Sequence, residues 1–406
     1  MVNIKLENIS KSYRNLKALN NISFEIKDKE YFIILGPTGA GKTTLVKIIA
    51  GLLKQDGSGK IIFDGKDVSD RDSGERNLGF MFENYALFPH MNIVDNISYS
   101  GRVHDRNKDQ TKSIVEQFLL MTHLLGRNDA FPEELSGGMK QRVALSRSLM
   151  NLEQTKLLIL DEPLKALDAG LRMSLRRDLQ LMARQLELTV IHITNNEREA
   201  MMLADRIAII NEGHLIQVGT PYEIYYRPKN LFVAYFMSEI NYFEGVCLKN
   251  PENKVINNTN NFQGDELFTQ LKKDSIALKV DLGLEKKFIT YVRKRLFDKL
   301  NNQDKVLIVT RSNHMKIRLG NRVSDKENSF FGTIIRRKFM GVVYRFEVKI
   351  NINGLEKIII VTDSSTAEIH NKFQEGVDVT IYFPKEFGIL FKHPGTDEIN
   401  RVLKLE

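Results

Sequence analysis

Short apolar runs in the first half of the chain predict buried strands, and the residues that follow each run are unusual. Residues 31–35 are all apolar or aromatic, residues 36–43 are rich in glycine, and residues 44–53 carry apolar side chains at helical spacing. Uninterrupted apolar runs of this length are typical of strands buried on both faces of a parallel sheet. The pattern therefore predicts a strand, a tight loop and a helix in that order.

Two further short stretches lead into polar side chains. The apolar residues 157–160 lead directly into Asp161 and Glu162. Residues 191–194, in which Ile191 and Ile193 alternate with His192 and Thr194, lead into Asn195 and then into a predicted helix. Both stretches predict buried strands whose ends present polar groups.

The pattern changes near residue 240, where helical periodicity fades and polar and apolar residues begin to alternate. Residues 328–350 alternate at period two, and residues 356–362 and 377–383 read as further strands. Several short strands at this spacing predict a small barrel.

Residues 250–303, which are rich in Asn and Lys, are interpreted as an insertion into that barrel, with one helix at residues 287–300. The basic helix is either a solvated surface or a contact for lipid headgroups or a partner.

Composition narrows the class of protein. The chain has 406 residues, which suggests more than one domain, and no apolar run approaches the roughly 18 residues of a membrane span. The first ten residues lack the apolar core of a signal peptide, so we expect a cytoplasmic protein. The single Cys247 excludes an internal disulfide and is interpreted as a small apolar strand residue. The net charge of +8 comes without a basic stripe interleaved with aromatics, so no nucleic-acid partner is predicted.

The loop at residues 36–43 matches G-x-x-x-x-G-K-[ST], the phosphate-binding loop (P-loop), and has the strand and helix that this motif requires. Its glycines let backbone N–H groups and the helix N-terminus face an anion. Lys42 is expected to reach the β- and γ-phosphates of ATP, and Thr43 is expected to ligate Mg²⁺. The predicted nucleotide-binding residues here are Gly36, Pro37, Thr38, Gly39, Ala40, Gly41, Lys42, Thr43 and Thr44.

The carboxylates after residue 160 complement this loop. Asp161 is expected to hold Mg²⁺, and Glu162 to orient or deprotonate the attacking water. Transfer of a γ-phosphoryl group needs a metal clamp and a positioned water more than it needs covalent chemistry.

A third motif begins at Ser136, where Ser136, Gly137 and Gly138 open a predicted helix shortly before the carboxylate strand. With this order of motifs, residues 1 to about 240 resemble the ATP-binding cassette (ABC) ATPase family. The resemblance implies a P-loop α/β fold of the ABC type, a RecA-like core with a helical subdomain at about 86–152, in a domain spanning residues 1–238.

Several roles follow from the resemblance alone. It implies a head-to-tail dimer, with itself or with a second ABC ATPase, in which the P-loop of one subunit and Ser136 of the other enclose one ATP. Tyr13 matches the aromatic residue that stacks on adenine, and Asp168 matches the loop that crosses the dimer interface.

The segment around Leu87, Phe88 and Pro89 resembles the site at which importer ATPases receive two membrane permease subunits. Residues 219–236 resemble the end of the ATPase domain in importers for sugars, polyamines, ferric iron and oxyanions. Residues 239–406 resemble the oligonucleotide/oligosaccharide-binding-like (OB-like) TOBE domain of those importers, which implies further strands at residues 242–246 and 306–318. The implied place of action is the cytoplasmic face of the membrane, with an extracytoplasmic substrate-binding protein as an indirect partner.

The chain departs from the family at residues that the resemblance places next to the γ-phosphate and the attacking water. Asn195 stands where the family has the His that contacts the γ-phosphate, and His192 is a poor substitute because side chains along a strand alternate faces. Glu83 replaces the Gln that contacts Mg²⁺ and water, which makes it a candidate catalytic and metal-binding residue. Lys165 replaces a Ser. Losing one transition-state contact costs on the order of 3–4 kcal/mol, or roughly a hundred- to thousandfold in rate.

Two hypotheses remain open. In the first, the chain is an ATPase that powers an importer, and either its hydrolysis is slow or Glu83 and Asn195 together compensate for the lost groups. In the second, it binds ATP but hydrolyses little, and it supports a competent partner cassette.

Overall fold

The computed structural model describes residues 2–103, 106–150, 156–165, 167–249, 275–284, 287–321 and 327–403. The chain divides into two compact units between Lys229 and Asn230. The predicted boundary at residue 238 lies later in the sequence. The helix Leu231–Met237 belongs to the second unit, where Arg311 donates a hydrogen bond to the carbonyl of Ala234 at 3.1 Å.

The first unit contains two sheets. The six-stranded sheet has the order β10-β9-β3-β8-β7-β6, parallel except for β10, and the four-stranded antiparallel sheet has the order β2-β1-β4-β5. The strands are β1 Ile4–Tyr13, β2 Leu16–Ile26, β3 Tyr31–Leu35, β4 Lys60–Phe63, β5 Lys66–Asp67, β6 Gly79–Met81, β7 Leu157–Asp161, β8 Thr189–Thr194, β9 Arg206–Asn211 and β10 His214–Gly219.

The three strands that were predicted to be buried form the centre of the parallel sheet. Every residue of β3, β7 and β8 is buried, as expected for strands covered on both faces. Leu35 pairs with Thr194, and Asp161 pairs with Ile193. The carboxyl ends of these strands therefore lie side by side, and the residues that follow them meet at one edge.

The helices of the first unit are α1 Lys42–Ile49, α2 Ser73–Arg76, α3 Ile93–Val103, α4 Lys108–Met121, α5 Gly137–Leu149, α6 Ala169–Gln185, α7 Glu197–Leu203 and α8 Pro221–Tyr226. Helices α3, α4 and α5 bury an apolar cluster of their own, in the region predicted to be a helical subdomain. Its buried members are Ile93, Ile97, Val115, Leu119, Leu124, Leu135, Val143 and Met150.

The second unit is built on two five-stranded antiparallel sheets with a common apolar core, so the prediction of an all-β second region is confirmed. Their orders are β13-β12-β11-β14-β20 and β15-β19-β16-β17-β18. The strands are β11 Ile240–Leu248, β12 Ser275–Asp281, β13 Phe288–Arg293, β14 Lys305–Arg311, β15 Lys316–Leu319, β16 Glu327–Phe339, β17 Val343–Ile352, β18 Leu355–Ser364, β19 Asp378–Pro384 and β20 Ile389–Lys392. Its helices are α9 Leu231–Met237, α10 Lys294–Phe297, α11 Ala367–Lys372 and α12 Thr396–Leu403.

The helix predicted at residues 287–300 is wrong for most of its length. Residues Phe288–Arg293 form a strand that pairs with β12, and only Lys294–Phe297 are helical. Phe288, Thr290 and Val292 are buried in alternation, so period two prevails over helical spacing. This part of the predicted insertion belongs to the sheet, whereas residues 250–274 lie outside the described residues.

Residues 306–318, predicted as one strand, are two strands separated by the turn Ser312–His314. Cys247 is fully buried in β11, as its interpretation as a small apolar strand residue requires. Within the described part of the chain, no helix is long and apolar enough to cross a membrane.

Candidate functional site

The loop at residues 36–43 connects β3 to α1 at the carboxyl edge of the parallel sheet, as predicted. Its shape requires glycine at two places. A Cβ atom at Gly36 would collide with the carbonyl oxygen of Ile210, and Gly41 has φ of 100°. Only glycine adopts such a backbone without strain. The chain therefore turns tightly here, and the first turn of α1 faces the loop.

Lys42 is buried within this loop. Its Nζ donates hydrogen bonds to the carbonyl oxygens of Gly36 and Pro37, each at 2.8 Å. Burial lowers the pKa of Lys42, while the nearby carboxylates of Glu162 and Asp161 oppose that shift. The ammonium group is thus held by weak neutral acceptors, which an arriving phosphate can replace.

Thr43 and Asp161 face each other across the loop and the end of β7. Thr43 Oγ1 donates to Asp161 Oδ1 at 3.3 Å, and Asp161 is almost completely buried. Burial raises the pKa of Asp161, and the hydrogen bond from Thr43 opposes that shift. The two side chains place hard oxygen ligands beside the phosphate loop.

Glu162 follows immediately in a left-handed backbone conformation with φ of 50°. Its N–H donates to the carbonyl of Ile193 at 3.0 Å, which fixes it to the end of β8. Burial raises the pKa of Glu162, and the cations of Lys42 and Lys165 oppose the shift. A carboxylate with these surroundings is suited to accepting a proton.

The two asparagines after β8 have different surroundings. Asn195 is exposed at the edge of the sheet. Asn196 caps α7, because its side chain accepts a hydrogen bond from the N–H of Glu199 at 3.0 Å. Asn196 is therefore a structural residue, and Asn195 is the one that stands at the site.

His192 has other partners. Its ring is fully buried, with Nε2 at 2.8 Å from Glu199 Oε1 and Nδ1 at 3.0 Å from the hydroxyl of Tyr31. The buried ring lies between Tyr31 and Glu199 inside the protein, so His192 does not stand in for a histidine at position 195.

Glu83 and Lys165 form an ion pair, a relationship that sequence reasoning missed. Lys165 Nζ lies 2.8 Å from Glu83 Oε1, although the residues are 82 positions apart. Glu83 follows β6 and Lys165 follows β7, and these strands are neighbours in the sheet. Their opposite charges were the signal that could have revealed the pair.

A cleft of about 420 Å³ opens over the P-loop. Tyr13 stands at its rim, at the end of β1, with nearly half of its surface exposed. The residues lining the cleft are Tyr13, Leu16, Lys17, Ala18, Gly39, Ala40, Gly41, Lys42, Thr43, Thr44, Glu212 and Gly213.

The predicted site residues that do not line this cleft include Glu83, Asp161, Glu162 and Asn195 at the strand ends, and also Ser136 and Asp168. Ser136 caps α5 by accepting a hydrogen bond from the N–H of Met139 at 3.3 Å. Asp168 caps α6 by accepting one from the N–H of Leu171 at 3.0 Å. The structure therefore shows both as helix caps outside the phosphate cleft.

Phe88 is held firmly in the segment that was predicted to receive a permease. The side-chain amide of the buried Asn96 bonds both the N–H and the carbonyl of Phe88, at 2.9 and 3.1 Å. The ring of Tyr99 lies 4.5 Å from that of Phe88, and the guanidinium of Arg147 lies 5.2 Å from it. Leu87 is half-buried, whereas Pro89 is exposed.

Comparisons with known proteins identify relatives of this chain. The family model "ABC transporter" matches residues 19–165. The chain is 32% identical, over 96% of its own length and 98% of the relative, to the spermidine/putrescine import ATP-binding protein PotA of Clostridioides difficile. It is 43% identical to the sulfate/thiosulfate import ATP-binding protein CysA of Pseudomonas syringae pv. tomato, over 59% of this chain and 74% of that one.

A further match covers less of the relative. The chain is 42% identical to PotA of Protochlamydia amoebophila, over 60% of this chain and 64% of that protein. Among solved structures, the dimeric post-hydrolysis state of the ATP-binding cassette MJ0796, bound to ADP and Pi, matches with a TM-score of 0.50 and 27% identity. That match covers 54% of this chain and 98% of the cassette.

Proposed function

The chain belongs to the ABC transporter family, and we propose that it is the subunit that binds and hydrolyses ATP to energise an importer. The observation that carries this proposal is the convergence of Lys42, the Thr43–Asp161 pair and Glu162 at one edge of the sheet. Phosphate binding, metal binding and water activation need these three functions within reach of one γ-phosphate.

The nucleotide is proposed to lie in the cleft over the P-loop. Backbone N–H groups of the loop and the N-terminus of α1 bind the phosphates. Lys42 exchanges its two carbonyl acceptors for phosphate oxygens, which are stronger partners for a cation. The exposed ring of Tyr13 stacks on the adenine.

The residues at the site fit Mg²⁺. This ion prefers oxygen ligands, takes few from the protein and completes its shell with phosphates and water. Thr43 and Asp161 supply two such oxygens, and Glu83 is a third candidate. In the described part of the chain, no group of three or more His, Cys, Asp and Glu residues could hold a metal ion. When bound, Mg²⁺ neutralises charge on the phosphates.

Hydrolysis then depends on two residues after the strands. Glu162 orients a water and accepts its proton as the oxygen attacks the γ-phosphorus and the bond to the β-phosphate oxygen breaks. Asn195 donates a hydrogen bond from its amide to a γ-phosphate oxygen. An amide carries no positive charge, so we expect a slower turnover than a histidine would give.

A second subunit is proposed to complete the site. Ser136 and Gly137 begin a helix of 13 residues outside the cleft of their own chain, so this N-terminus is available to the nucleotide of a head-to-tail partner. Asp168 is proposed to lie at the same interface between the two subunits. The MJ0796 cassette, which is dimeric, supports this arrangement.

Two integral-membrane permease subunits are proposed to dock at Leu87, Phe88 and Pro89, on the cytoplasmic face of the membrane. The two hydrogen bonds between the Asn96 side chain and the backbone of Phe88 fix the shape of that site. An extracytoplasmic binding protein delivers the substrate indirectly.

A polyamine is the proposed substrate class. The relative that matches along almost the entire chain, including the second unit, is named for spermidine and putrescine import. The sulfate/thiosulfate relative matches over 59% of the chain and PotA of Protochlamydia amoebophila over 60%, so the choice rests on the match that includes the second unit. Uptake of labelled spermidine and of labelled sulfate by vesicles containing the complex tests this; uptake of sulfate alone contradicts it.

The exposed Asn195 favours a second candidate function, an ATP-binding subunit that hydrolyses little and supports a competent cassette. Turnover of the wild type beside Asn195→His decides between the two. A wild type that hydrolyses, with little change in the variant, supports the working ATPase. A silent wild type and an active Asn195→His support the second candidate.

A further inference from the structure

Two residues that depart from the family pattern at the phosphate end of the site are bonded to each other. Lys165 Nζ and Glu83 Oε1 lie 2.8 Å apart, and each side chain is about half exposed. Lys165 is three residues beyond Glu162 on the segment after β7, and Glu83 lies on the segment after β6. The pair therefore joins the two segments that carry the candidate carboxylates of the site.

The charges of this pair act on the catalytic groups. Burial raises the pKa of Glu162, and the cation of Lys165 opposes that shift. Burial also raises the pKa of Asp161, and the carboxylate of Glu83 adds to that shift. Lys42 is influenced by both members of the pair. When the charges of phosphate and metal arrive, the electrostatic surroundings of this ion pair therefore change.

We propose that the Glu83–Lys165 ion pair is a latch that is closed in the nucleotide-free chain and is opened by Mg²⁺ together with a nucleoside triphosphate. The proposal rests on the proposed nucleotide site. A divalent cation attracts the carboxylate of Glu83 more strongly than a single ammonium group does. The γ-phosphate in turn attracts the released Lys165. With Mg²⁺ and a diphosphate, opening would leave Lys165 without a γ-phosphate to receive it, so the latch opens only when both charges gain new partners and stays closed with ADP.

The latch controls the start of a short segment whose other end is held. Tyr85 and Ala86 both have left-handed backbone conformations, with φ of 64° and 41°. Arg147 donates to their carbonyl oxygens, at 3.1 and 2.9 Å respectively. Since non-glycine residues adopt this conformation at a cost, the segment is strained while both ends are fixed. Opening the latch frees the Glu83 end of this segment, and the other end adjoins Leu87.

A double-mutant cycle on nucleotide affinity tests the latch. The wild type, Glu83→Gln, Lys165→Met and the double variant are titrated with Mg²⁺–ATP and with Mg²⁺–ADP at low salt, using calorimetry rather than turnover. The affinities of the three variants predict a wild-type affinity by additivity. If binding breaks the pair, the measured wild-type affinity for Mg²⁺–ATP is weaker than that value by roughly two- to fivefold. With Mg²⁺–ADP the four affinities are additive.

The ion pair of Lys29 and Glu187 provides a matched control. Its Nζ–Oε1 distance is also 2.8 Å, its side chains are similarly exposed, and its residues precede β3 and β8 at the opposite edge of the sheet. Lys29→Met and Glu187→Gln are expected to give additive affinities for both nucleotides.

The outcomes are distinguishable. Mg²⁺–ATP binding by the wild type with additive affinities across the Glu83–Lys165 cycle overturns the latch and leaves the proposed function intact. Equal coupling for ATP and ADP also overturns it. Failure of the wild type to bind Mg²⁺–ATP overturns the proposed function and the latch together.

Discussion

The hydroxyl of Thr43 donates a hydrogen bond to the carboxylate of Asp161 at 3.3 Å, across a sequence separation of 118 residues. This contact joins the phosphate loop to the end of the strand that precedes Glu162. It also leaves Asp161 buried with few partners for its charge, and burial raises its pKa accordingly. The chain thus keeps a carboxylate that is unfavourable for stability at a position where the proposed metal needs it.

Asp161→Asn is predicted to stabilise the nucleotide-free chain and to impair its use of Mg²⁺. The pKa of Asp161 is raised in the folded state, so its ionised form opposes folding at neutral pH, and this loss of stability disappears as pH falls below the ordinary range of an Asp side chain. Thermal unfolding without nucleotide should show a higher midpoint, and the rise produced by Mg²⁺–ATP should disappear. Asp70→Asn, at an exposed position, should change neither. A lower midpoint without nucleotide would contradict this prediction.

The pH profile of ATP turnover should have an acid limb above the ordinary pKa of a glutamate. Burial raises the pKa of Glu162, and Glu162 accepts a proton only when it is ionised. Because the cation of Lys165 opposes the shift, Lys165→Met should move the acid limb to higher pH still. The rate of phosphate release between about pH 5 and 9 measures this, with Lys29→Met as the control. An unchanged acid limb in Lys165→Met would show that Glu162 does not govern it.

His192→Ala should lower the free energy of unfolding by about 2–4 kcal/mol, since it leaves buried polar groups without partners. Glu199 lies 2.8 Å from the His192 ring, and the hydroxyl of Tyr31 lies 3.0 Å from it. Urea denaturation measures the change. His214→Ala, at an exposed position, should cost less than about 1 kcal/mol. Equal losses of unfolding free energy in His192→Ala and His214→Ala would contradict a stabilising role for the contact between His192 and Glu199.

Phe88→Ala should separate ATP hydrolysis from permease binding. The substitution removes a ring packed on Tyr99 and Arg147, at a distance from the phosphate loop. Turnover of the isolated chain should stay within about twofold, while co-purification with the permeases should be lost, as expected for an aromatic anchor. Phe131→Ala, an exposed ring of the same subdomain, should retain the permeases. Full retention by Phe88→Ala would place the docking site elsewhere.

The parts of the fold that could be predicted from sequence are those in which local pattern and tertiary structure agree. The stretches that became β3, β7 and β8 are buried at every position, so their pattern was sufficient. The phosphate loop was equally predictable, because its tight backbone requires glycine at fixed positions in a short motif. Alternation at period two likewise identified the two strands within residues 328–350, which are β16 and β17.

What the sequence did not predict depends on distant contacts. Residues 287–300 are compatible with a helix in isolation, and pairing with β12 makes Phe288–Arg293 a strand. Glu83 and Lys165 read separately as two unfavourable substitutions, whereas the fold brings their opposite charges together. The capping role of Asn196 also required the position of α7 to be known.

The most direct test of the central claim is the rate of Mg²⁺-dependent phosphate release by the purified wild type beside Glu162→Gln. The substitution keeps the shape of the side chain and removes the group that accepts a proton. If the chain is a working ATPase, the wild type releases phosphate and the variant is slower by roughly a hundredfold or more, while both bind ATP. A wild-type rate no higher than that of Glu162→Gln would contradict the account.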